Sequence, residues 1–421
     1  MNKIRVFSAL FFACLALPPV RALDFGLVIN QAGEYTNTSS LSTGNSSGQE
    51  ETANYTGTYS PWISGEAADG ALKFSASAKL TTAYENKEWK YEPLLFEMGS
   101  SGLSWRSSPT LFLEAGRLRF MEPSGFVAAG LFDGLSGNFT AGGVRFSLGA
   151  LYTGLLYKET AKIMMTAGDA ERYALPLDYA DGDSYFASRR ILLSGGAEFP
   201  ALTRKITLNL NGLAQFDVNG KSAIGGGDSS LHSQYLTVKP GFRPVESLYM
   251  SGTMVAALAE NQAGDIRAHF AAAAGTDWET PGALPDMVQA EIRWSSGKVN
   301  DTVGAFTPLT TISQGEVFTP GLPGLMTIRG KYTVRPGDGL SVSAGGTYFF
   351  RTDGETLTGA DYPSSSARAL GGELYGLLIW SPLPDVILTA GGGAFFPQWG
   401  DVFEPEAPVR WKVRTALMLS L

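Results

Sequence analysis

Basic side chains at every second position of apolar segments are the residues of this sequence that could act on a solute. Near the C-terminal end, Arg410, Lys412 and Arg414 alternate with Trp411 and Val413. Because successive side chains of a strand point to opposite faces, this pattern predicts one charged, water-facing face and one apolar face. A row of like charges attracts ions of the opposite sign. The predicted chemistry is therefore electrostatic attraction of anions.

The same alternation in other segments gives a water-facing set of 13 basic positions and 4 acidic positions, Glu85, Asp217, Glu291 and Glu373. The basic positions are Lys73, Lys79, Arg117, Arg119, Arg145, Arg267, Arg293, Arg329, Lys331, Arg335, Arg410, Lys412 and Arg414. All of these except Lys73 and Lys79 are the candidate solute-binding residues. We expect an excess of positive charge on this face, with the acidic residues concentrated in loops. The alternative interpretation is that Arg and Glu pair across neighbouring strands and brace the wall.

Residues for covalent or metal chemistry are scarce. The sequence has two histidines, His232 and His269, and neither stands in a nucleophile motif. Its one cysteine is Cys14, so neither a disulfide framework nor a cysteine–histidine metal cluster is predicted. The chain has 40 acidic and 32 basic residues, which argues against nucleic-acid binding. We predict no enzyme activity, no metal site and no cofactor.

The first 22 residues have the pattern of a secretory signal peptide. Lys3 and Arg5 precede an apolar stretch from residue 6 to residue 17, and Ala22 ends the segment. A lipid attached to Cys14 is an alternative that the preceding Phe11 and Phe12 disfavour. Removal of this segment predicts a mature chain, residues 23–421, without cysteine and with its net charge changed from −8 to −11.

The mature chain is predicted to be an all-β transmembrane barrel. Alternating segments of ten or more residues are longer than ordinary globular strands, and no apolar segment is long enough for a membrane helix. The strands of a soluble β-sandwich also alternate between apolar and polar residues, but the core of a sandwich needs bulky side chains. Several apolar-face positions here carry small residues instead, namely Ala268, Ala272, Gly346 and Gly376. This difference favours an antiparallel barrel in contact with lipid.

We count about 18 strands, within a range of 16 to 18, with short turns at one end and long loops at the other. Candidate strands begin near Leu23, Ala53, Ala71, Glu92, Thr110, Gly143, Arg189, Lys205, Ser233, Ser247, Asp265, Pro285, Asp301, Leu325, Leu340, Ala367, Asp385 and Val409. With this set, the long segments 158–188 and 218–231 fall at the end of the short turns. They move to the other end if residues 131–141 form an additional strand and one later candidate is false. The segment from Met164 and Met165 onward is expected to fold inward as a constriction.

Two motifs resemble the alginate-export family of outer-membrane porins. One is Leu370-Gly371-Gly372-Glu373-Leu374, followed by Pro382 and by the glycine-rich segment 390–397. The other is the segment 113–117, which ends in Gly-Arg, followed by Asp133-Gly134. The resemblance implies an 18-stranded barrel with a basic lumen. Tyr375 and Gln398 depart from the family's pattern, so the resemblance is not extended to alginate as the solute.

These observations predict an outer-membrane channel of a diderm bacterium for passive diffusion of small or oligomeric solutes, with a preference for anions. The expected partners are outer-membrane lipid, the barrel-assembly machinery through the C-terminal strand, and the diffusing solutes. A non-conducting structural or adhesive barrel is the main alternative, and a soluble periplasmic β protein is a further one. The sequence identifies no oligomer interface.

Overall fold

A computed structural model describes residues 22–37, 51–85, 87–91, 94–219, 230–261, 264–298, 304–357, 362 and 366–421. The predicted signal peptide therefore lies outside the described residues, except Ala22, which is the first residue of the first strand. The described chain forms a closed antiparallel barrel of 18 strands, as predicted. No helix among the described residues is long and apolar enough to cross a membrane.

Each strand pairs with its neighbours in the sequence, and the last strand pairs with the first. The strands are β1 Ala22–Thr36, β2 Thr52–Ala67, β3 Leu72–Glu85, β4 Leu95–Met98 and Ser101–Ser108, β5 Leu111–Met121, β6 Ala129–Ala141, β7 Val144–Tyr152, β8 Arg190–Thr203, β9 Ile206–Asp217, β10 Leu231–Val245, β11 Leu248–Asn261, β12 Ile266–Glu279, β13 Asp286–Ser295, β14 Leu325–Gly337, β15 Leu340–Arg351, β16 Ala369–Leu383, β17 Val386–Phe396 and β18 Arg410–Ser420. The barrel closes where Val28 lies opposite Ser420 and Thr36 lies opposite Lys412. Strand β4 is interrupted at Gly99 and Ser100, and its pairing with β3 shifts there by one residue.

Most of the short connections between strands lie at one end of the barrel, together with the two ends of the described chain. Eight links of two to six residues join the strands at this end, and nine longer or irregular connections of four to 37 residues join them at the other. The prediction of 18 strands is confirmed, but two of the candidate strands needed correction. Residues 129–141 form β6, and the segment that follows Asp301 is not a strand over its described part, residues 304–324. With these two changes, the long segments 158–188 and 218–231 belong to the long-loop end.

The outer surface of the barrel is apolar, as the alternation predicts. Leu148, Leu236, Met254 and Leu374 are large apolar residues that are more than half exposed, and each has a neighbour in sequence that faces the interior. Tryptophans mark both ends of this surface. Trp105, Trp278 and Trp380 lie near the short turns, and Trp89 and Trp294 lie near the long loops. Such aromatic rows are typical of the two membrane–water boundaries of a transmembrane barrel.

Two long loops fold into the barrel and pack against its inner wall. The loop of residues 153–189, here named the first inner loop, carries three short helices, α1 Lys158–Ala161, α2 Ala167–Ala174 and α3 Gly182–Tyr185. The loop of residues 296–324, described at residues 296–298 and 304–324, is named the second inner loop. The first inner loop buries Ile163 and Met165 in an apolar cluster with the wall residues Leu192 and Leu213, which confirms the predicted inward fold.

The second inner loop extends between two apolar clusters. Phe306 and Leu309 join the cluster described above, whereas Val317 and Phe318 join a second cluster with the wall residues Phe349 and Phe395. Because polypeptide fills part of the interior at the long-loop end, the two inner loops narrow the lumen there.

Candidate functional site

The predicted basic residues fall into three groups according to what their side chains contact. Arg293, Arg329 and Arg410 contact the second inner loop. Arg117, Arg145 and Lys412 form ion pairs with wall residues. The remaining five are exposed: Arg119, Arg267, Lys331, Arg335 and Arg414. The first group narrows the candidate site to the wall strands that face the second inner loop.

Two arginines of neighbouring strands hold the same residue of the second inner loop. Arg293 on β13 donates a hydrogen bond from Nη1 to the side-chain oxygen Oε1 of Gln314 at 2.8 Å. Arg329 on β14 donates from Nη2 to the backbone oxygen of Gln314 at 2.7 Å and from Nε to the hydroxyl of Thr347 at 3.3 Å. Arg293 also contacts Glu291 at 2.8 Å. Both described hydrogen-bond partners of Arg329 are neutral, and the described residues show no ion pair at its guanidinium.

Glu373 on β16 anchors the loop segment that follows Gln314. Its carboxylate accepts the backbone N–H groups of Glu316 at 3.0 Å, Val317 at 3.0 Å and Phe318 at 3.2 Å. Glu373 is buried, and hydrogen bonds of this kind to an ionised carboxylate are stronger than neutral ones. The glutamate of the Leu-Gly-Gly-Glu-Leu motif therefore holds the second inner loop against the wall.

Arg410 on β18 lies over two aromatic rings of the loops. Its guanidinium carbon is 5.9 Å from the ring centre of Phe318 and 5.5 Å from that of Phe403. Phe318 is stacked on Phe395 of the wall with ring centres 4.4 Å apart. A planar cation over aromatic faces is a favourable arrangement, so Arg410 is held at the edge of the second apolar cluster.

The Gly-Arg motif has a different role from the one predicted. Arg117 on β5 is 5 % exposed and forms a two-pronged ion pair with Asp133 on β6, at 2.9 and 3.0 Å. It also donates to the backbone oxygens of Met98 at 2.7 Å and Leu155 at 2.9 Å. These contacts occupy its guanidinium within the wall. Arg117 and Arg119 line a cavity of about 600 Å³ near the short-turn end.

The first inner loop is anchored by a buried ion cluster that was not predicted. Arg190, the first residue of β8, is fully buried and pairs with Asp169 of α2 at 2.5 Å and with Asp217 of β9. Asp169 also accepts the backbone N–H groups of Met165 and Thr166, both at 3.0 Å. Asp169 completes a capping box with Thr166, and this pattern at residues 166–169 was the available sequence signal.

The first inner loop also contacts β3 and β4 through polar side chains. Glu97 of β4 accepts a hydrogen bond from the hydroxyl of Thr160 at 2.6 Å, and Lys79 of β3 pairs with Glu97 at 3.0 Å. In the segment between β3 and β4, the Tyr91 hydroxyl donates to Glu159 at 3.0 Å. Burial raises the pKa of Tyr91, and the negative charge of Glu159 adds to the effect, so this hydroxyl stays protonated and remains a donor.

The structure places more acidic residues beside the predicted basic residues than the four acidic residues that the sequence alternation assigned to the water-facing side. Glu34 lies 3.9 Å from Lys412, Glu66 lies 3.7 Å from Lys73, and Glu198 lies 3.0 Å from Arg145. Together with Glu97 and Asp133, these residues make the count of 13 against 4 an overstatement. The bracing interpretation therefore describes several of the predicted residues, and the anion preference depends on the rest.

Both histidines belong to the barrel wall. The Nδ1 atom of His232 accepts the backbone N–H of Asp217 at 3.2 Å. His269 on β12 is buried and lies opposite Ala257 of β11. Among the described residues, no hydrogen bond joins either histidine to a serine or threonine hydroxyl.

No protein-family model matches the sequence, and no curated protein matches it. The fold is similar to the solved structures of several Pseudomonas aeruginosa proteins. One is OccK2 (OpdF) in complex with glucuronate, with a TM-score of 0.61 at 11 % identity over 96 % of this chain and 98 % of that chain. Another is OpdL, with a TM-score of 0.60 at 12 % identity over 95 % and 98 % of the two chains. A third is OccK5 (OpdH), with a TM-score of 0.59 at 11 % identity over 94 % and 98 %.

These neighbours are outer-membrane porins with 18-stranded barrels. At 11–12 % identity they establish the fold of the chain. They do not show the finer resemblance to the alginate-export family.

Proposed function

We propose that the chain is an integral outer-membrane channel for passive diffusion of small water-soluble molecules. The observation that carries this proposal is a closed barrel with an apolar outer surface, a polar inner wall and two inward loops that narrow the lumen. Such a wall excludes lipid from a water-filled path, and loops inside it select solutes by size and charge. The similarity to outer-membrane porins, one of them holding glucuronate, supports the same function.

We infer that the channel prefers anions. Arg329 has neutral hydrogen-bond partners, and Lys331, Arg335 and Arg414 are exposed on the inner-wall strands β14 and β18. Glu291 on β13 lies opposite Arg329, but its carboxylate pairs with Arg293 at 2.8 Å. A row of positive charge in a low-dielectric wall raises the local concentration of anions. The candidate residues in the exposed and loop-contacting groups would carry this selectivity.

The resemblance to alginate-export porins gives further support for a basic lumen in an 18-stranded barrel. The predicted signal peptide and strand β18 are the features on which assembly by the outer-membrane machinery is proposed. These assignments concern the barrel and its assembly, and they do not identify the solute. Because the inner wall carries positive charge, the proposed solute is a small molecule that carries a carboxylate.

Planar-bilayer recording in a KCl gradient tests both parts of the proposal. A conducting channel with a reversal potential on the anion side is expected. Liposome swelling with neutral and carboxylated sugars of equal size then tests solute preference, and faster swelling with the carboxylated sugar is expected. A cation-selective reversal potential would refute the anion preference without refuting the channel.

The two apolar clusters support a second candidate function, a non-conducting structural barrel. Phe306, Leu309 and Leu322 of the second inner loop are buried in the first cluster, and Phe318 is buried in the second. If the loops close the lumen, the reconstituted protein shows the heat-dependent gel mobility of a folded barrel but no conductance. Bilayer recording thus separates the two functions.

A further inference from the structure

The barrel wall is open between β4 and β5 at the long-loop end. Pairing between these strands runs from Ser108 opposite Leu111 to Ser101 opposite Arg117 and stops there. Beyond this point, within the described part of the chain, Leu95–Met98 of β4 pairs with β3 alone, and the last part of β5 pairs with β6 alone. We name the interval between Leu95–Met98 and residues 118–121 the seam.

Side chains take the place of the missing backbone pairing along the β4 edge of the seam. The Tyr179 hydroxyl donates to the backbone oxygen of Leu94 at 2.8 Å and accepts the N–H of Phe96 at 3.2 Å. The Tyr185 hydroxyl donates to the oxygen of Phe96 at 2.5 Å. Arg117 donates to the oxygen of Met98. Unpaired backbone groups are costly in hydrocarbon, so these contacts seal the edge, but side chains can rotate away whereas a strand ladder cannot.

The outer side of the seam is apolar and lies at membrane depth. Leu95 and Glu97 face inward and are buried, whereas Phe96 is 48 % and Met98 is 40 % exposed on the outer face. Phe96 lies opposite Leu80 of β3, between Trp105 near the short turns and Tyr84 near the long loops. The seam therefore opens within the apolar band bounded by aromatic residues.

The inner side of the seam leads to a polar space. Ser100 and Arg117 form the end of the seam that faces the short turns, and both line the 600 Å³ cavity. Glu66, Lys73 and Arg119 also line this cavity. Leu155 of the first inner loop is 54 % exposed, and its backbone oxygen contacts Arg117 at 2.9 Å. Apolar surface outside thus continues into a cavity with charged groups of both signs.

We propose that the seam is a lateral portal that binds a single-chain zwitterionic amphiphile from the surrounding membrane. The alkyl chain would lie along Phe96, Met98 and Leu155, and the head group would lie against the mixed charges of the cavity. Tyr179 and Tyr185 are the closure, because their hydroxyls hold the free edge of β4. The closure lies in the barrel wall, and the proposal does not depend on the anion preference of the proposed channel.

Fluorescence quenching in phosphatidylcholine vesicles tests the portal. With Cys14→Ser, a single bimane label is placed on Leu155→Cys in the full chain, and the quencher is lysophosphatidylcholine with a nitroxide on its alkyl chain. Leu236→Cys on the outer face of β10 is the positive control, and Lys331→Cys on the inner wall is the negative control. We expect a loss of fluorescence at Leu155→Cys that equals the loss at Leu236→Cys and is several-fold greater than that at Lys331→Cys. Quenching at Leu155→Cys no greater than at Lys331→Cys overturns the proposal.

A second variant tests the closure. Tyr179→Phe removes the hydroxyl and keeps the ring, and we expect faster quenching of the Leu155→Cys label. Tyr249→Phe on β11, which pairs with Asp277 of β12 and lies outside the seam, is the matched control and should leave the rate unchanged. Equal rates in both variants would overturn the assignment of Tyr179 as the closure.

Discussion

The carboxylate of Glu373 accepts the backbone N–H of Phe318 at 3.2 Å, and this contact joins the wall of the barrel to the loop that crosses its lumen. Phe318 in turn stacks on Phe395 and lies under Arg410. One buried carboxylate thus fixes both the path of the second inner loop and the place of a cation beside it. The width of the lumen depends on this anchor.

Replacement of Glu373 by Gln should widen the channel. The amide keeps one acceptor oxygen and loses the charge, so three backbone donors lose charge-assisted bonds, at a cost of about 1–3 kcal/mol. We expect a larger single-channel conductance with more frequent fluctuations in planar bilayers. Glu198→Gln, which breaks an exposed pair near the short turns, is the control and should conduct like the wild type. An unchanged conductance in Glu373→Gln would show that the loop is held by its apolar residues alone.

The strands could be predicted from the sequence because lipid and water impose alternation on each of them. The one missed strand, β6, has glycines at positions 130, 134 and 137, which interrupt the alternation. The false candidate near Asp301 contains apolar and β-branched residues because Phe306 and Leu309 pack inside the barrel, not because they pair in a sheet. The residue pattern of a single segment cannot distinguish pairing in a sheet from packing inside the barrel.

The candidate site was predictable only in part. The alternation correctly identified Arg293, Arg329 and Arg410 as inner-wall residues, but their contacts with Gln314 and Phe318 depend on a loop that folds back across the lumen. Arg190 was not predicted because its partners Asp169 and Asp217 come from separate elements. Interactions of this kind need the tertiary fold.

Removal of exposed positive charge from the inner wall should reduce the anion preference. Lys331 and Arg335 on β14 are exposed, so the double change to Gln alters charge without removing a described loop contact. A unit charge at ~4 Å is worth about 1 kcal/mol in water, or about five-fold in relative permeability. The reversal potential in a KCl gradient should shift toward the cation side. Arg204→Gln, in the turn between β8 and β9, is the control. A reversal potential that does not move would assign selectivity to other residues.

Loss of Asp169 should destabilise the barrel more than loss of an exposed acidic residue. Asp169→Asn leaves Arg190 fully buried with one partner fewer, and breaking a buried pair costs about 3–5 kcal/mol. An exposed pair contributes about 0–1 kcal/mol, so Glu198→Gln is the matched comparison. The temperature of the heat-induced gel shift should fall clearly for Asp169→Asn and little for Glu198→Gln. Equal shifts would mean that the ion cluster does not anchor the first inner loop.

The junction between residues 297–298 and 353–356 should open in acid. Burial of Asp353 opposes its ionisation, but the Thr356 hydroxyl and the backbone N–H groups of Glu355, Thr356 and Lys298 outweigh it and hold the pKa of Asp353 below its usual value. A carboxyl with a lowered pKa contributes stability above its ordinary pKa of about 3.9 and loses it as the pH falls through the folded-state pKa.

Hydrogen exchange of the Lys298 and Thr356 amides, corrected for the intrinsic rate, should therefore show protection at neutral pH that disappears only below about pH 3.9. Asp353→Asn should lack this protection at every pH, because the amide cannot supply the same acceptor charge to the three donors. Asp338→Asn, in the turn between β14 and β15, should behave like the wild type. Loss of protection in the wild type well above the ordinary aspartate pKa would contradict the assignment, since the ionised carboxylate is then not the group that holds the two loops together.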